Sequence, residues 1–333
     1  MIDSSDTFEN KPSDEQPKNV SLSTDRVQSI AERGQQKAKE REQKSREQAH
    51  ISARDELEAR HAAGQLTLWP ESKRGIPNEL VRCAVFSAKN RKEKRDVYRA
   101  NAPLTVPVIG GGEVIYTGEE LRQDDETVWM QLIHMSKEAR SPEVFFTPYS
   151  FFKTIKWPNK GTNYTRLLTT LRRLKTASLE VYSSRFDRGV NTGLIVDFTY
   201  SKTINGVPWS VRVFSPENEL LFLFDKLYSR VDWETRLALP EGVSTWLHGF
   251  FSSHREPFDH KIETLAKGAG LTIEAPEDQE LTEPARIAKR KERLREAKKT
   301  IKRALETLQS KGFLENFKIT TNGLVHVVRA PKK

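Results

Sequence analysis

Residues Lys156–Thr176 read KWPNKGTNYTRLLTTLRRLKT, and the order of these residues decides the local fold. The Trp157-Pro158-Asn159 turn stops one helix, because proline lacks a backbone donor and disfavours helical backbone in the residue before it. At about 100° per residue, Leu167, Leu168, Leu171 and Leu174 fall on one face of the next helix. Thr162, Thr165, Arg166, Thr169, Arg172 and Arg173 gather opposite. The spacing predicts a helix over Gly161 to Thr176, and Pro148 starts a shorter one over Tyr149 to Ile155. Two helices joined by a tight turn have helix-turn-helix wiring.

Upstream, Gly118 to Ala139 reads as a helix with Leu121, Val128, Trp129, Leu132, Ile133 and Met135 inside and Asp124, Asp125 and Glu126 mostly outside, followed by a strand at Val144 to Thr147. Downstream, Leu179 to Ser183, Leu194 to Tyr200 and Trp209 to Phe214 read as strands separated by turns at Gly189, Gly193 and Gly206, which supply a β-wing. The order then repeats. Pro216 to Tyr228 is rich in Leu and Phe, Glu241 to Phe251 and Lys261 to Lys267 read as helices, and a polar loop at Glu274 to Glu283 precedes a long helix ending near Lys311-Gly312. Phe313 to Thr320 and Leu324 to Arg329 form a hairpin about Thr321-Asn322-Gly323. The expected fold is α+β, with two tandem winged-helix domains at 74–215 and 216–333.

Before them lie a charged tail at 1–63 and a linker at 64–73. Asp3, Asp6, Glu9, Asp14 and Glu15 stand among Ser, Asn and Pro, with too little apolar surface to offset the entropy of ordering. From Arg26 to Ala63 the residues favour helix but carry almost no apolar stripe, as a solvated marginal helix would. The single cysteine, Cys83, excludes an intramolecular disulfide and a cysteine metal cluster. No stretch approaches the roughly 20 apolar residues that cross a bilayer, and the N-terminus has no basic start followed by an apolar run. A cytoplasmic protein without membrane contact is expected.

The 333 residues hold 55 Lys and Arg against 46 Asp and Glu, a formal charge of +9, which favours an anionic partner. Distribution says more than the total. Lys153 to Lys175 contains no acid, whereas a merely solvated helix tends to mix signs. Lys160, Thr162, Asn163, Thr165, Arg166, Thr169, Arg172 and Arg173 are therefore candidate contacts to double-stranded DNA, since Arg forks onto guanine or phosphate and Thr offers a hydroxyl and a methyl. The last long helix adds Arg286, Lys289, Arg290, Arg293, Arg295, Lys298 and Lys299. Its buried stripe is expected at Leu294, Ala297, Ile301, Ala304, Leu305 and Leu308.

Four stretches then carry a resemblance: Arg74-Gly75-Ile76-Pro77-Asn78-Glu79; Tyr116-Thr117-Gly118 through Glu120-Leu121-Arg122 to Asp124-Asp125; Val128-Trp129; and Ser252-Ser253-His254-Arg255-Glu256-Pro257. In these the chain resembles the plasmid replication initiators of the TrfA type, which are built from tandem winged helices. The resemblance implies binding to directly repeated origin sites (iterons), help in opening the adjacent duplex, and recruitment of host replication proteins, including the sliding clamp, the initiator ATPase and the helicase. It also implies inactive homodimers and DNA-binding monomers. Gln65-Leu66-Thr67-Leu68-Trp69 is similar to the peptide with which bacterial proteins dock on the sliding clamp. Leu66, Leu68 and Trp69 would enter an apolar pocket and Gln65 would fix register, the alternative being that they anchor the tail on the first domain.

Catalytic readings fare poorly. Gly110-Gly111-Gly112 lacks the Lys-Ser or Lys-Thr of a phosphate loop and reads as a turn between strands. His254 and His260 have no metal-ligand spacing, and Tyr164, a conceivable nucleophile for DNA nicking, has no two-histidine site beside it. No enzyme activity, cofactor or metal is expected. A winged-helix transcriptional repressor and a plasmid nicking or mobilisation enzyme stay open as alternatives.

Overall fold

The computed structural model describes residues 36–37, 40–41, 70–183, 188–201, 208–215, 219–224, 228–275 and 281–331. The chain divides into a unit at Met1–Asp55 and a unit at Glu56–Lys333. In the first, residues 36–37 and 40–41 are helical, and Gln36 Nε2 donates to Glu40 Oε1 at 3.3 Å.

The second unit mixes helices and strands around two apolar cores. Strand β1 (Lys73–Pro77) leads into helix α1 (Asn78–Val81), and β2 (Phe86–Ser87) follows. Strands β3 (Val97–Tyr98), β4 (Leu104–Pro107) and β5 (Glu113–Glu119) precede β6 (Leu121–Arg122), which pairs in parallel with β2. Helix α2 (Gln123–Ala139) crosses the first core and β7 (Glu143–Phe146) follows it. Helices α3 (Pro148–Thr154) and α4 (Gly161–Thr176) then flank the Trp157-Pro158 turn. Next come β8 (Ser178–Ser183), β9 (Arg188–Gly193), β10 (Asp197–Thr199) and β11 (Trp209–Arg212). One sheet runs β3-β5-β8-β9 with β4 also on β5, and another runs β10-β11-β7.

Helix α2 begins at Gln123 and not at Gly118. Gly118 lies in β5 at φ +137°, a conformation no helix uses, and a side chain there would meet Tyr116 Oη at 2.6 Å. The helix is capped where Asp125 Oδ2 accepts from the Arg122 backbone N–H at 2.9 Å. The expected strand at Leu194–Tyr200 is also divided. Trp129 Nε1 donates to the Leu194 carbonyl at 2.9 Å, so that carbonyl is held by the core while the chain passes from β9 in one sheet to β10 in the other.

Contrary to the expectation that they face solvent, Asp124, Asp125 and Glu126 are buried at the start of α2. Each meets arginine: Arg95 and Arg166 reach Asp124, Arg95 and Arg173 reach Asp125, and Arg236 reaches Glu126 at 2.7 Å. Buried carboxylates survive only with such partners.

The 3-10 turn Glu219–Phe224, β12 (Tyr228–Asp232) and α5 (Trp233–Ala238) follow, and Leu220, Leu223, Phe224, Val231 and Trp233 belong to the first core. Strand β12 pairs antiparallel with β1, so β12 and α5 pack with the first core. The second core forms from α6 (Val243–Ser252), α7 (Ile262–Gly268), α8 (Glu283–Ser310) and a sheet of order β13-β15-β14 made by β13 (His260–Lys261), β14 (Leu314–Ile319) and β15 (Leu324–Arg329). Trp246, Leu247, Phe250 and Phe251 fill it from α6, and Ala297, Ile301, Ala304, Leu305 and Leu308 fill it from α8.

The cores meet along residues 81–88. Trp246 Nε1 donates to the Cys83 carbonyl at 3.2 Å, and Arg82 Nε donates to Ser253 Oγ at 2.8 Å. Two stretches that carry the resemblance, Arg74–Glu79 and Ser252–Pro257, thus flank or form this junction.

Candidate nucleic-acid interface

The first basic helix, α4, divides its charge between two faces. Leu167, Leu171 and Leu174 are buried and Leu168 packs against the same core. Thr162, Thr165, Arg172, Lys175 and Thr176 are exposed, with Thr169 half-buried beside them. Arg172 stands with its guanidinium 6.0 Å from the Tyr200 ring, and Lys160 is exposed in extended backbone ahead of the helix.

Two of the expected contacts turn inward. Arg166 and Arg173, seven residues apart, share the flank that meets α2. Arg166 stacks 3.7 Å from the Trp157 ring centroid and donates to Asp124 Oδ2 at 2.9 Å and Glu241 Oε1 at 3.0 Å. Arg173 is buried and donates to Asp125 Oδ1 at 2.7 Å, where the Thr170 hydroxyl donates as well. Burial opposes the Asp124 carboxylate, yet Arg166, Arg95 and Arg173 together hold its pKa below the usual range. The α4 segment lacks acids because its acids come from α2. Arg173 is thereby removed from the contact set, and Arg166 is committed to an ion-pair cluster. Asn163 is also partly engaged, its Nδ2 donating to the Pro158 carbonyl at 2.6 Å, which closes the turn.

The second basic helix, α8, runs from Glu283 to Glu296, about 21 Å at 1.5 Å per residue, before its first buried side chain, Ala297. Arg286, Arg290 and Arg293 lie on the flank of the buried stripe and so turn back to the body. Arg286 Nε donates to the Leu281 carbonyl at 3.4 Å, Arg290 donates to Glu274 at 3.0 Å and Glu263 at 3.3 Å, and Arg293 donates to the Glu274 carbonyl. Lys289 and Lys299 pair along the helix with Glu292 and Glu296, whose pKa values these lysines lower.

A different face stays open. Lys291, Arg295, Lys298 and Lys302 recur at i, i+4, i+7 and i+11 and are all exposed, forming one basic stripe. Among the described residues Lys291 and Lys298 have no acidic partner, Arg295 has only Glu296 at 4.0 Å, and Lys302 has Glu306 at 3.7 Å. Lys291 and Lys302 were not among the residues expected from sequence, though their spacing with Arg295 and Lys298 could have found them.

Between the two cores lies an open cleft of about 1110 Å³. Arg166 lines it from α4 and Thr300, Arg303 and Thr307 from α8, with Glu241 at its wall. Glu241 also pairs with Arg91 at 3.3 Å, so the cleft is crossed by ion pairs of both signs.

Tyr164 packs edge-on against Phe152 and its hydroxyl donates to Asn159 Oδ1 at 3.1 Å. Gly110 to Gly112 lie between the paired strands β4 and β5. Gln65, Leu66, Leu68 and Trp69 lie outside the described residues, as does the tail at 1–63 apart from residues 36–37 and 40–41. Among the described residues, one group of three side chains could together ligate a metal: Glu71, His134 and Glu138, which belong to neither basic helix. No described helix is long and apolar enough to cross a membrane.

Two crystal structures of domains 2 and 3 of RctB are similar at low identity. One is 10% identical with a TM-score of 0.49, covering 77% of this chain and 99% of that one. The other is 11% identical with a TM-score of 0.43, covering 74% and 95%. The plasmid replication initiator protein TrfA of Escherichia coli is 27% identical over 263 residues, which span 78% of this chain and 63% of that protein. A model of the TrfA protein family matches residues 58–329, and with the greater part of its length matched, the chain belongs to the TrfA family.

Proposed function

We propose that this chain initiates plasmid replication by binding directly repeated sites in duplex origin DNA, without covalent chemistry of its own. The observation that carries the reading is the exposed basic stripe Lys291, Arg295, Lys298 and Lys302 on a helix that leads into a terminal hairpin. The exposed face of α4, with Thr162, Thr165, Thr169 and Arg172, repeats the arrangement ahead of β8 and β9. We read each helix with its hairpin as a winged-helix domain, the two domains meeting between Trp233 and Leu239. A recognition helix in the major groove needs this composition: cations for phosphate and guanine, and hydroxyls and methyls for the rest. Membership of the TrfA family supports the same reading. Opening of the adjacent duplex and recruitment of the initiator ATPase and helicase complete it. Gln65 to Trp69 would tether the chain to the sliding clamp.

The test is titration of supercoiled and linear DNA carrying the cognate plasmid origin. Specific binding should exceed binding to random duplex by at least about 10³-fold at physiological salt. The DNA should stay unnicked with Mg²⁺. In the same preparation Leu68→Ala with Trp69→Ala should leave DNA affinity unchanged and abolish binding to purified clamp. Equal affinity for random duplex, or Mg²⁺-dependent nicking, would sink the initiator reading.

A further inference from the structure

Three ligating side chains converge beside β1. Glu71 lies two residues ahead of that strand, and His134 and Glu138 stand one turn apart near the end of α2. His134 Nε2 is 3.2 Å from Glu71 Oε2 and 3.1 Å from Glu138 Oε1, and the three ligating atoms all lie within 4.8 Å of one another. The imidazole is buried at 1% exposure, whereas Glu71 and Glu138 are 76% and 50% exposed, so the group opens to solvent on its carboxylate side. Glu71 is held from behind. Arg74 Nη1 donates to its backbone carbonyl at 2.6 Å and Nη2 to Oε1 at 3.4 Å, leaving Oε2 to face the imidazole. Arg74 is itself fixed by Gln131 Oε1 at 2.9 Å and by the Trp233 ring.

We propose that Glu71, His134 and Glu138 bind a first-row divalent transition ion, with Zn²⁺ the best fit. Ligands at about 2.0–2.1 Å around a tetrahedral ion stand about 3.3–3.4 Å apart, so two of the donor separations are already close to those a bound ion requires. Rotation of the exposed carboxylates adjusts the rest. One imidazole nitrogen with two carboxylate oxygens suits zinc, whereas Ca²⁺ and Mg²⁺ favour oxygen ligands alone. The fourth position faces solvent and would hold water.

A bound ion would fasten the chain entering β1 to the last turns of α2.

The experiment is calorimetric titration of tag-free, full-length protein with ZnCl₂ at pH 7.5. One equivalent should bind, and Glu71→Gln and Glu138→Gln should each weaken it at least tenfold, with folding checked by circular dichroism. Both residues are exposed, so the variants test the site without opening the core. Absence of a binding equivalent, affinity changed less than twofold in both variants, or Ca²⁺ binding tighter than Zn²⁺ would overturn the assignment.

Discussion

Arg173 donates to Asp125 inside the first core at 2.7 Å, while its neighbour Arg172 stands in solvent on the outer face of α4. Removing Arg173 takes away one of the two arginines on the buried Asp125 and leaves Arg95, a loss of about 1.5–3 kcal/mol, whereas an exposed arginine contributes within about 0.5 kcal/mol to stability. Arg173→Ala should therefore lower the urea midpoint strongly. Arg172→Ala should leave it in place and weaken DNA binding, with the salt slope reduced by about 1. Denaturation and fluorescence anisotropy on the two single variants separate these roles, and an unchanged midpoint in Arg173→Ala would refute the buried assignment. The leucine face of α4 was legible from periodicity because burial follows the helical repeat. The fate of the arginines was not, because Asp124, Asp125 and Glu126 read locally as the acidic first turn of a solvated helix. Their burial depends on arginines from residues 95, 166, 173 and 236, a pairing that only the tertiary fold supplies.

Helix α8 shows the same division over a longer element. Of the six apolar positions expected to be buried, Ala297, Ile301, Ala304, Leu305 and Leu308 are buried and Leu294 is partly buried against the same core. The sequence reading named Arg290 among the contacts and left out Lys291. The fold distinguishes them by flank: Arg290 reaches back to Glu263 and Glu274, and Lys291 faces away. Phosphate contacts release counterions, so each lost contact lowers the slope of log affinity against log salt by about 0.9. Replacing Lys291, Arg295 and Lys298 together by alanine should reduce the slope by about 2.7 and leave the urea midpoint near that of the native chain. Arg290→Ala, which removes a cation already tied to two glutamates, should change the slope by less than 1. Anisotropy across a salt series reads both, and equal effects per residue would show that flank does not decide contact.

At the scale of the molecule, the two cores are joined through side chains that each core needs for itself. Trp246 packs in the second core and donates to Cys83 of the first segment, and Arg82 holds Ser253 at the end of α6. Gly249 sets the spacing. A Cβ there would meet Val81 Cγ2 at 2.8 Å, so α6 and α1 approach only because that position has no side chain. Loss of these contacts exposes polar groups in both cores at once, which couples their unfolding. The native chain should lose far-UV ellipticity and tryptophan fluorescence in one shared urea transition. Because Trp129, Trp157, Trp209 and Trp233 lie in the first core, fluorescence mainly reports that half. Gly249→Val forces the helices apart at a cost of about 1–3 kcal/mol, and the two signals should then separate, with ellipticity beginning to fall before fluorescence. If the variant keeps coincident curves at the native midpoint, the cores are not coupled through this contact and the junction is only an adjacency.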